Sequence, residues 1–198
     1  MKNILAVVNK QKHFDENMIK DWEFVEIVDG DGDKSFVEKN TFLAFEKLQA
    51  ELATMNIRAT IRSAGRTPED QARIAQELAA EEGQEYVDKY VAKPYQSEHH
   101  LGTAIDVRLE RIRKPMLTMI SRRKKAIDKT TMFETMHSIL EKYGFIERYK
   151  KDKVEITGYP AERWHIRFVG EENAKEMSNV GMCLEEYVDF LEKQNAMQ

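Results

Sequence analysis

The chain has 198 residues, 41% of them apolar, and a formal net charge of -4. That length suits one domain. The apolar share supports a buried core rather than global disorder, and the acidic balance excludes a strong general attraction to nucleic acid. The lone cysteine, Cys183, excludes an intramolecular disulfide and a thiolate zinc site, so any metal must be held by histidine and carboxylate.

No stretch approaches the run of about eighteen apolar residues that a membrane-spanning helix needs. The first apolar run, Ile4 to Val8, is too short for a signal-peptide core and no small-residue cleavage site follows it. It reads as a first strand, and a cytoplasmic location is expected. "DGDGD", Asp29 to Asp33, has the alternating acids of a calcium loop, but Lys34 stands where the loop needs glycine and Asn40 where it needs glutamate, so a polar turn is expected. Ser35 and Glu38 have the spacing of a capping box. Phe42, Phe45, Leu48, Leu52 and Met55 then recur at helical spacing and predict a helix over residues 37 to 55.

"RATIRSAG" reads as a strand with Ala59, Ile61 and Ser63 on one side. In "TPEDQ", Thr67 can cap the next helix, Pro68 suits its first position and Gly83 can end it. "GTAIDVRL", from Gly102, predicts another strand. Residues 108 to 129 are rich in Arg and Lys. They read as a solvated loop or helix face, with nucleic-acid binding through residues 108 to 125 as the weaker alternative. Met132, Phe133, Met136, Ile139 and Leu140 form a helical stripe ended by Gly144. "FIERY" and "RWHIRFV" alternate like strands around the turn-like "TGYP", and Leu184, Tyr187, Val188 and Leu191 mark a last helix. The expected fold is α+β, a small antiparallel sheet covered by helices. The expected organisation is a single domain over residues 1 to 198, with a strand and helix in residues 1 to 57 and a catalytic core in residues 58 to 191.

The densest polar chemistry lies in "SEHHLGTAID", residues 97 to 106. His99 and Asp106 flank Gly102 and Ala104, whose small size allows a tight turn. If a turn opens the segment and a strand closes it, both side chains can face one point. A catalytic metal needs a third ligand. His165, in "AERWHIRF", is the best placed, and Glu162 lies three residues before it. Two imidazoles and a carboxylate suit zinc with an open position, which polarises a carbonyl and acidifies water. Glu162 is then the candidate base for the water proton. Arg66, at a strand-to-helix turn, is the candidate cation for an anionic intermediate, or it simply pairs with Glu69 or Asp70. Gln71 can support Arg66 or bind substrate. His100 is adjacent to His99 and points elsewhere, so it is not expected to be a ligand.

These segments resemble a known family. "SEHHLGTAID" looks like the S-x-H-x-x-G-x-A-x-D signature of the zinc D-alanyl-D-alanine carboxypeptidases. "ERWH" matches their E-x-W-H, and "SAGRTPEDQ" resembles their upstream S-x-x-R-[ST]-x-x-x-Q segment. The likeness runs from about residue 58 to residue 191, and is nearest to the cytoplasmic D,D-dipeptidase/D,D-carboxypeptidases of vancomycin resistance. It implies zinc on His99, Asp106 and His165, Glu162 as base, and Arg66 at the oxyanion. Ser97 would lie near the substrate carboxylate, Gln71 would help hold substrate, and Trp164 would wall the pocket. The implied substrate is a small peptide, D-Ala-D-Ala or a peptidoglycan-precursor pentapeptide, with no nucleic-acid or membrane partner. Removal of that terminal D-alanine would deplete the ending that glycopeptide antibiotics bind. Two positions depart from the pattern: Gly65 and Phe168 stand where the family often has tyrosine, and both bear on substrate selection. The alternatives are a phage-type L-alanyl-D-glutamate endopeptidase and a non-catalytic zinc-binding protein of the hedgehog type.

Overall fold

The computed structural model describes residues 3–112 and 128–197. Most of the basic segment, residues 113 to 127, lies outside the described residues. A hairpin of β1 (Phe24–Val28) and β2 (Lys34–Glu38) leads into α1 (Lys39–Thr54) and β3 (Ile57–Ser63). The helices α2 (Pro68–Glu82) and α3 (Gln84–Tyr90) follow, then a 3₁₀ turn at Glu98–Leu101 and β4 (Ala104–Arg111). After α4 (Lys129–His137) come β5 (Phe145–Tyr149), the one-turn α5 (Val154–Thr157), β6 (Glu162–Phe168), α6 (Glu171–Val180) and α7 (Leu184–Ala196). The main sheet has the order β3-β4-β6-β5 and every pair is antiparallel. This is the expected mixture of helices and a small antiparallel sheet.

The two faces of β4 are chemically different. Ile105, Val107 and Leu109 join Ile166 of β6 on the core side, against Phe45, Leu48 and Leu52 of α1 and Met132, Phe133 and Met136 of α4. Each such side chain contributes about 1.5–3 kcal/mol when fully buried. Alternation along the strand therefore turns Asp106 to the opposite face. A second cluster packs α6 and α7 through Ala174, Met177, Leu184 and Tyr187, with Val7 and Val169.

The start of the chain departs from expectation. Ile4 to Val8 forms no strand, although Val7 and Val8 are buried. Its backbone acceptors are satisfied otherwise: the Arg167 guanidinium donates to the carbonyls of Ile4, at 3.0 Å, and Ala6, at 2.9 Å. A side chain thus does the work of a neighbouring strand. The predicted capping box also moves. Ser35 lies within β2 and its hydroxyl donates to Gly65 O, at 2.7 Å. Glu38 alone caps α1, accepting from the Thr41 N–H at 2.8 Å. The stripe through Leu140 is buried as expected, but its helix ends at His137 and a 3₁₀ turn carries Leu140. "DGDGD" is a turn, closed by Asp29 Oδ1, which accepts from the N–H groups of Asp31 and Asp33.

Gly65 explains one departure from the family pattern. Its N–H and C=O pair with the C=O and N–H of Phe36, at 2.9 and 3.1 Å, tying the hairpin to the end of β3. A Cβ there would sit 2.2 Å from Phe36 O and 2.6 Å from its ring. Backbone blocks any larger residue. Phe168 packs against the core, its ring 5.4 Å from that of Phe145, and so faces away from the polar side of the sheet. Gly65→Ala is expected to lower stability by about 1–3 kcal/mol through this overlap. A lower urea midpoint at constant slope would show it; an unchanged midpoint would contradict the packing described.

Candidate active site

Strand register brings distant residues together. Asp106 of β4 pairs directly with His165 of β6, and Ser63 of β3 pairs with Asp106. Paired residues share a sheet face, so all three project away from the apolar core. His99 reaches the same point from the 3₁₀ turn, and its own N–H is capped by Ser97 Oγ. Gly102 ends that turn in the left-handed conformation, φ 68°, under the rings of Phe24 and Phe36.

His99 Nε2 lies 3.7 Å from Asp106 Oδ1, and His165 Nδ1 lies 3.1 Å from the same oxygen. The three ligand atoms are within 4.8 Å of one another. Each imidazole is oriented from behind. His99 Nδ1 donates to Ala64 O at 2.7 Å, which leaves Nε2 to face the cluster. His165 Nε2 donates to Glu98 Oε1 at 2.9 Å, which leaves Nδ1 to do so. Such partners fix both tautomer and ring orientation in metal sites.

The donor set fits a divalent cation. Asp106 Oδ1 is buried, makes no well-aligned hydrogen bond and lies near the facing nitrogens of His99 and His165, an arrangement that a bound cation would satisfy. Burial, and then the Arg66 charge, push His99 down to about 4, so it is the neutral imidazole that a metal requires. Burial opposes charge on His165, but the carboxylates of Asp106 and Glu98 outweigh it and raise this histidine to about 10. A cation in place of the Nδ1 proton would satisfy the same carboxylates.

Glu162 lies at the start of β6, its carboxylate 3.6 Å from His165 Nδ1. Burial pushes it up to about 7; His165 opposes the rise, and Asp106 and Glu98 add to it. A carboxyl poised there suits proton transfer near neutrality. Arg66 is held in the cleft wall, its Nε donating to Gln71 Oε1 at 2.6 Å and a terminal nitrogen to Ser63 Oγ at 3.0 Å. It forms no ion pair with Glu69 or Asp70 among the described residues. Both ends of the Gln71 amide are engaged, since its Nε2 donates to Ala92 O. Ser97 and Trp164 line the same cavity, of about 740 Å³.

His100 sits behind the site with both ring nitrogens occupied. Nδ1 donates to Arg66 O at 2.8 Å, and Nε2 accepts from the Tyr95 N–H at 3.2 Å. It is a strut under Arg66. His137 is remote and bonds Arg163 O.

Sequence reading missed the support beneath the cluster. Glu98 Oε2 accepts from Arg148 Nε at 2.8 Å and from Arg167 at 3.0 Å, and all three side chains are buried. Arg148 also makes a bidentate pair with Glu185 of α7. Burial opposes ionisation of Glu98, but the two arginines and His165 outweigh it and hold the carboxyl well below the usual range. The available signal was an arginine inside each of two largely apolar strands, "FIERY" and "RWHIRFV", because a buried arginine demands an acid.

Comparison with known proteins places these features in a family. Residues 34–171 match VanY, D-alanyl-D-alanine carboxypeptidase. The chain is 38% identical over 126 residues to a bifunctional D-Ala-D-Ala dipeptidase and carboxypeptidase, VanXYC of Enterococcus gallinarum; the match covers 64% of each chain. The chain therefore spans less than two thirds of that relative. Among solved structures, a mutant of the vancomycin resistance D,D-pentapeptidase VanY, from a VanB-type resistance cassette and in complex with Zn(II), superimposes with TM-score 0.73 and 27% identity, covering 93% of this chain and 98% of that one. The D,D-dipeptidase VanXYg, in complex with a D-Ala-D-Ala phosphinate analog, gives TM-score 0.74 and 29% identity over 95% of this chain and 71% of that one.

Glu98→Ala is expected to destabilise the protein by about 3–5 kcal/mol, because it leaves Arg148 and Arg167 buried without their shared acid. It should also weaken divalent-metal affinity roughly 10–100-fold by freeing His165. Urea unfolding and chelator competition measure the two effects, and normal values for both would contradict the network.

Proposed function

The chain belongs to the VanY D-alanyl-D-alanine carboxypeptidase family, and on that footing we propose that it is a zinc peptidase. Its proposed reaction is removal of the C-terminal D-alanine from D-Ala-D-Ala or from a peptidoglycan-precursor pentapeptide. One observation carries the reading: a three-ligand cluster, a raised carboxyl and a half-buried arginine meet in one cleft. His99, Asp106 and His165 would hold the zinc. When bound there, zinc supplies a Lewis acid for the scissile carbonyl and acidifies water.

The chain's own residues do the rest. Glu162 takes a proton from the attacking water and passes it to the nitrogen of the leaving D-alanine as the C–N bond breaks. Its burial keeps the protonated form accessible near neutral pH, as the second half of that transfer requires. Arg66 faces the developing oxyanion with a fixed positive charge. Gln71, whose amide is committed to Arg66 and Ala92, serves by holding that arginine in place. Ser97 and Trp164, both lining the cleft, contact substrate, with Ser97 nearer the terminal carboxylate.

The proposal extends to a cytoplasmic location, supported by the resemblance of the motifs to the cytoplasmic resistance enzymes; cell fractionation tests it. Among the described residues no helix is long and apolar enough to cross a membrane. In the cytoplasm the reaction would deplete precursors that end in D-Ala-D-Ala.

Zinc-loaded protein is expected to release D-alanine from D-Ala-D-Ala, from the pentapeptide, or from both. Glu162→Gln should retain zinc while kcat falls by about 10²–10⁴-fold. Zinc binding with no hydrolysis of any peptide would instead favour a binding protein. Lysis of purified cell walls without action on free precursors would favour an endopeptidase.

A further inference from the structure

The base Glu162 and the ligand His165 stand at positions i and i+3 of one strand. Regular alternation would turn Glu162 to the face of Ile166, into the core. Instead both residues line the cleft, with the Glu162 carboxylate 3.6 Å from His165 Nδ1. The register supplies the reason. On β5 the step from Glu147 to Tyr149 faces the longer step from Ile166 to Glu162 on β6. β6 therefore bulges over Arg163 and Trp164, and such a bulge re-aims the side chains beside it. Without it the base would leave the cleft.

A bulge takes backbone groups out of the ladder, and those groups need other partners. The Arg163 carbonyl finds one outside the sheet: it accepts from His137 Nε2 of α4 at 2.8 Å. The other ring nitrogen, Nδ1, lies 3.3 Å from Glu147 Oε2, at the edge of the irregularity on β5. One imidazole thus bridges the two strands where their register shifts. The Arg163 side chain is held from the same helix, its guanidinium 3.5 Å from Glu134 Oε1. Glu134 and His137, at i and i+3, share one flank of α4. Met132, Phe133 and Met136 anchor that helix in the core, so the grip has a rigid base. Neither Glu134 nor His137 lines the cleft. Any effect they have on the reaction passes through Arg163, the residue bonded directly to Glu162.

We infer that α4 clamps the β6 bulge and that His137 is a positioning residue for Glu162. It acts from outside the cleft, through the Arg163 carbonyl. Glu134, whose ion pair with Arg163 is exposed, is the weaker part of the clamp. The inference rests on the peptidase reading above.

The test compares two variants of the zinc-loaded protein. His137→Gln keeps an amide nitrogen that can reach the carbonyl; His137→Leu fills the space without a donor. On D-Ala-D-Ala or the pentapeptide, kcat of His137→Leu should fall about tenfold, because a small misplacement of a reacting group is costly. KM and zinc affinity should stay within about twofold, and His137→Gln should recover most of the loss. Equal kcat in all three proteins, or a fall in zinc affinity as large as that in kcat, would overturn the inference. Should His137→Leu not fold, His137→Asn, whose amide is too short for the same bond, replaces it with the same expectations. A readout without catalysis separates the clamp from the peptidase reading. The chain has two tryptophans, Trp22 and Trp164, so a Trp22→Phe background leaves Trp164 of the bulge as the sole reporter. Acrylamide quenching of Trp164 should rise in His137→Leu and return to its starting value in His137→Gln. If no peptide is hydrolysed, the peptidase reading fails, yet this quenching pattern still supports the clamp. Identical quenching in all variants overturns it.

Discussion

The site depends on one buried carboxylate. Glu98 sits between Arg148 of β5, Arg167 of β6 and His165, and none of these side chains has appreciable contact with water. Taking such charges out of water is expensive, and the cost is offset only when every partner is in place. Each arginine carries a further obligation: Arg148 to Glu185 of α7, Arg167 to the carbonyls of Ile4 and Ala6. The chain start, the last helix and two strands therefore converge on the residue that orients His165. Stability and metal geometry are linked because the same acid serves both.

The metal cluster uses that rigidity economically. Two ligands are cross-strand partners, Asp106 and His165, and the third arrives on a capped turn. The core face of β4 locks the register, since a one-residue slip would bury Asp106 among the side chains of α1 and α4. His100, Gln71 and Ser63 hold Arg66 from three directions. Ser97 is both the cap of the ligand-bearing turn and part of the cleft wall. Most polar groups near the reaction centre are thereby positioned by the fold before substrate arrives, the condition for electrostatic catalysis without reorganisation. The β1–β2 hairpin presses on this assembly through Phe36, which meets Gly65 and Gly102. Two small residues in the motifs are accordingly packing requirements.

Much of this was legible in the sequence, and the reasons are local. The apolar stripes of α1, α4 and α7 declared themselves by period, and Thr67, Pro68 and Gly83 marked the ends of α2. The three ordered motifs named the residues that the structure gathers into one cleft: His99, Asp106, His165, Glu162, Arg66 and Gln71. The misreadings are equally local. Ile4 to Val8 has the composition of a strand, but its carbonyls bond the Arg167 side chain in place of a strand edge. Ser35 has the spacing of a helix cap, yet its hydroxyl is claimed by Gly65 across the hairpin. The strand β1 and the helix α3 left no clear trace, and α6, though amphipathic, buries only Ala174 and Met177 and was not read as a helix.

By itself, then, the sequence determined the helical core, the strand alternation of the sheet and the chemistry available at each motif position, because those follow from side-chain type and spacing along the chain. Tertiary structure alone decided that Glu98 lies under His165, that His100 braces Arg66, that Gly65 has no room for a side chain and that His137 holds the Arg163 carbonyl at the bulge of β6. Those facts depend on contacts between residues far apart in the chain, as in the bond from His165 to Glu98, 67 positions apart. No periodicity or local spacing encodes them; they appear only once strand register and packing bring the partners together.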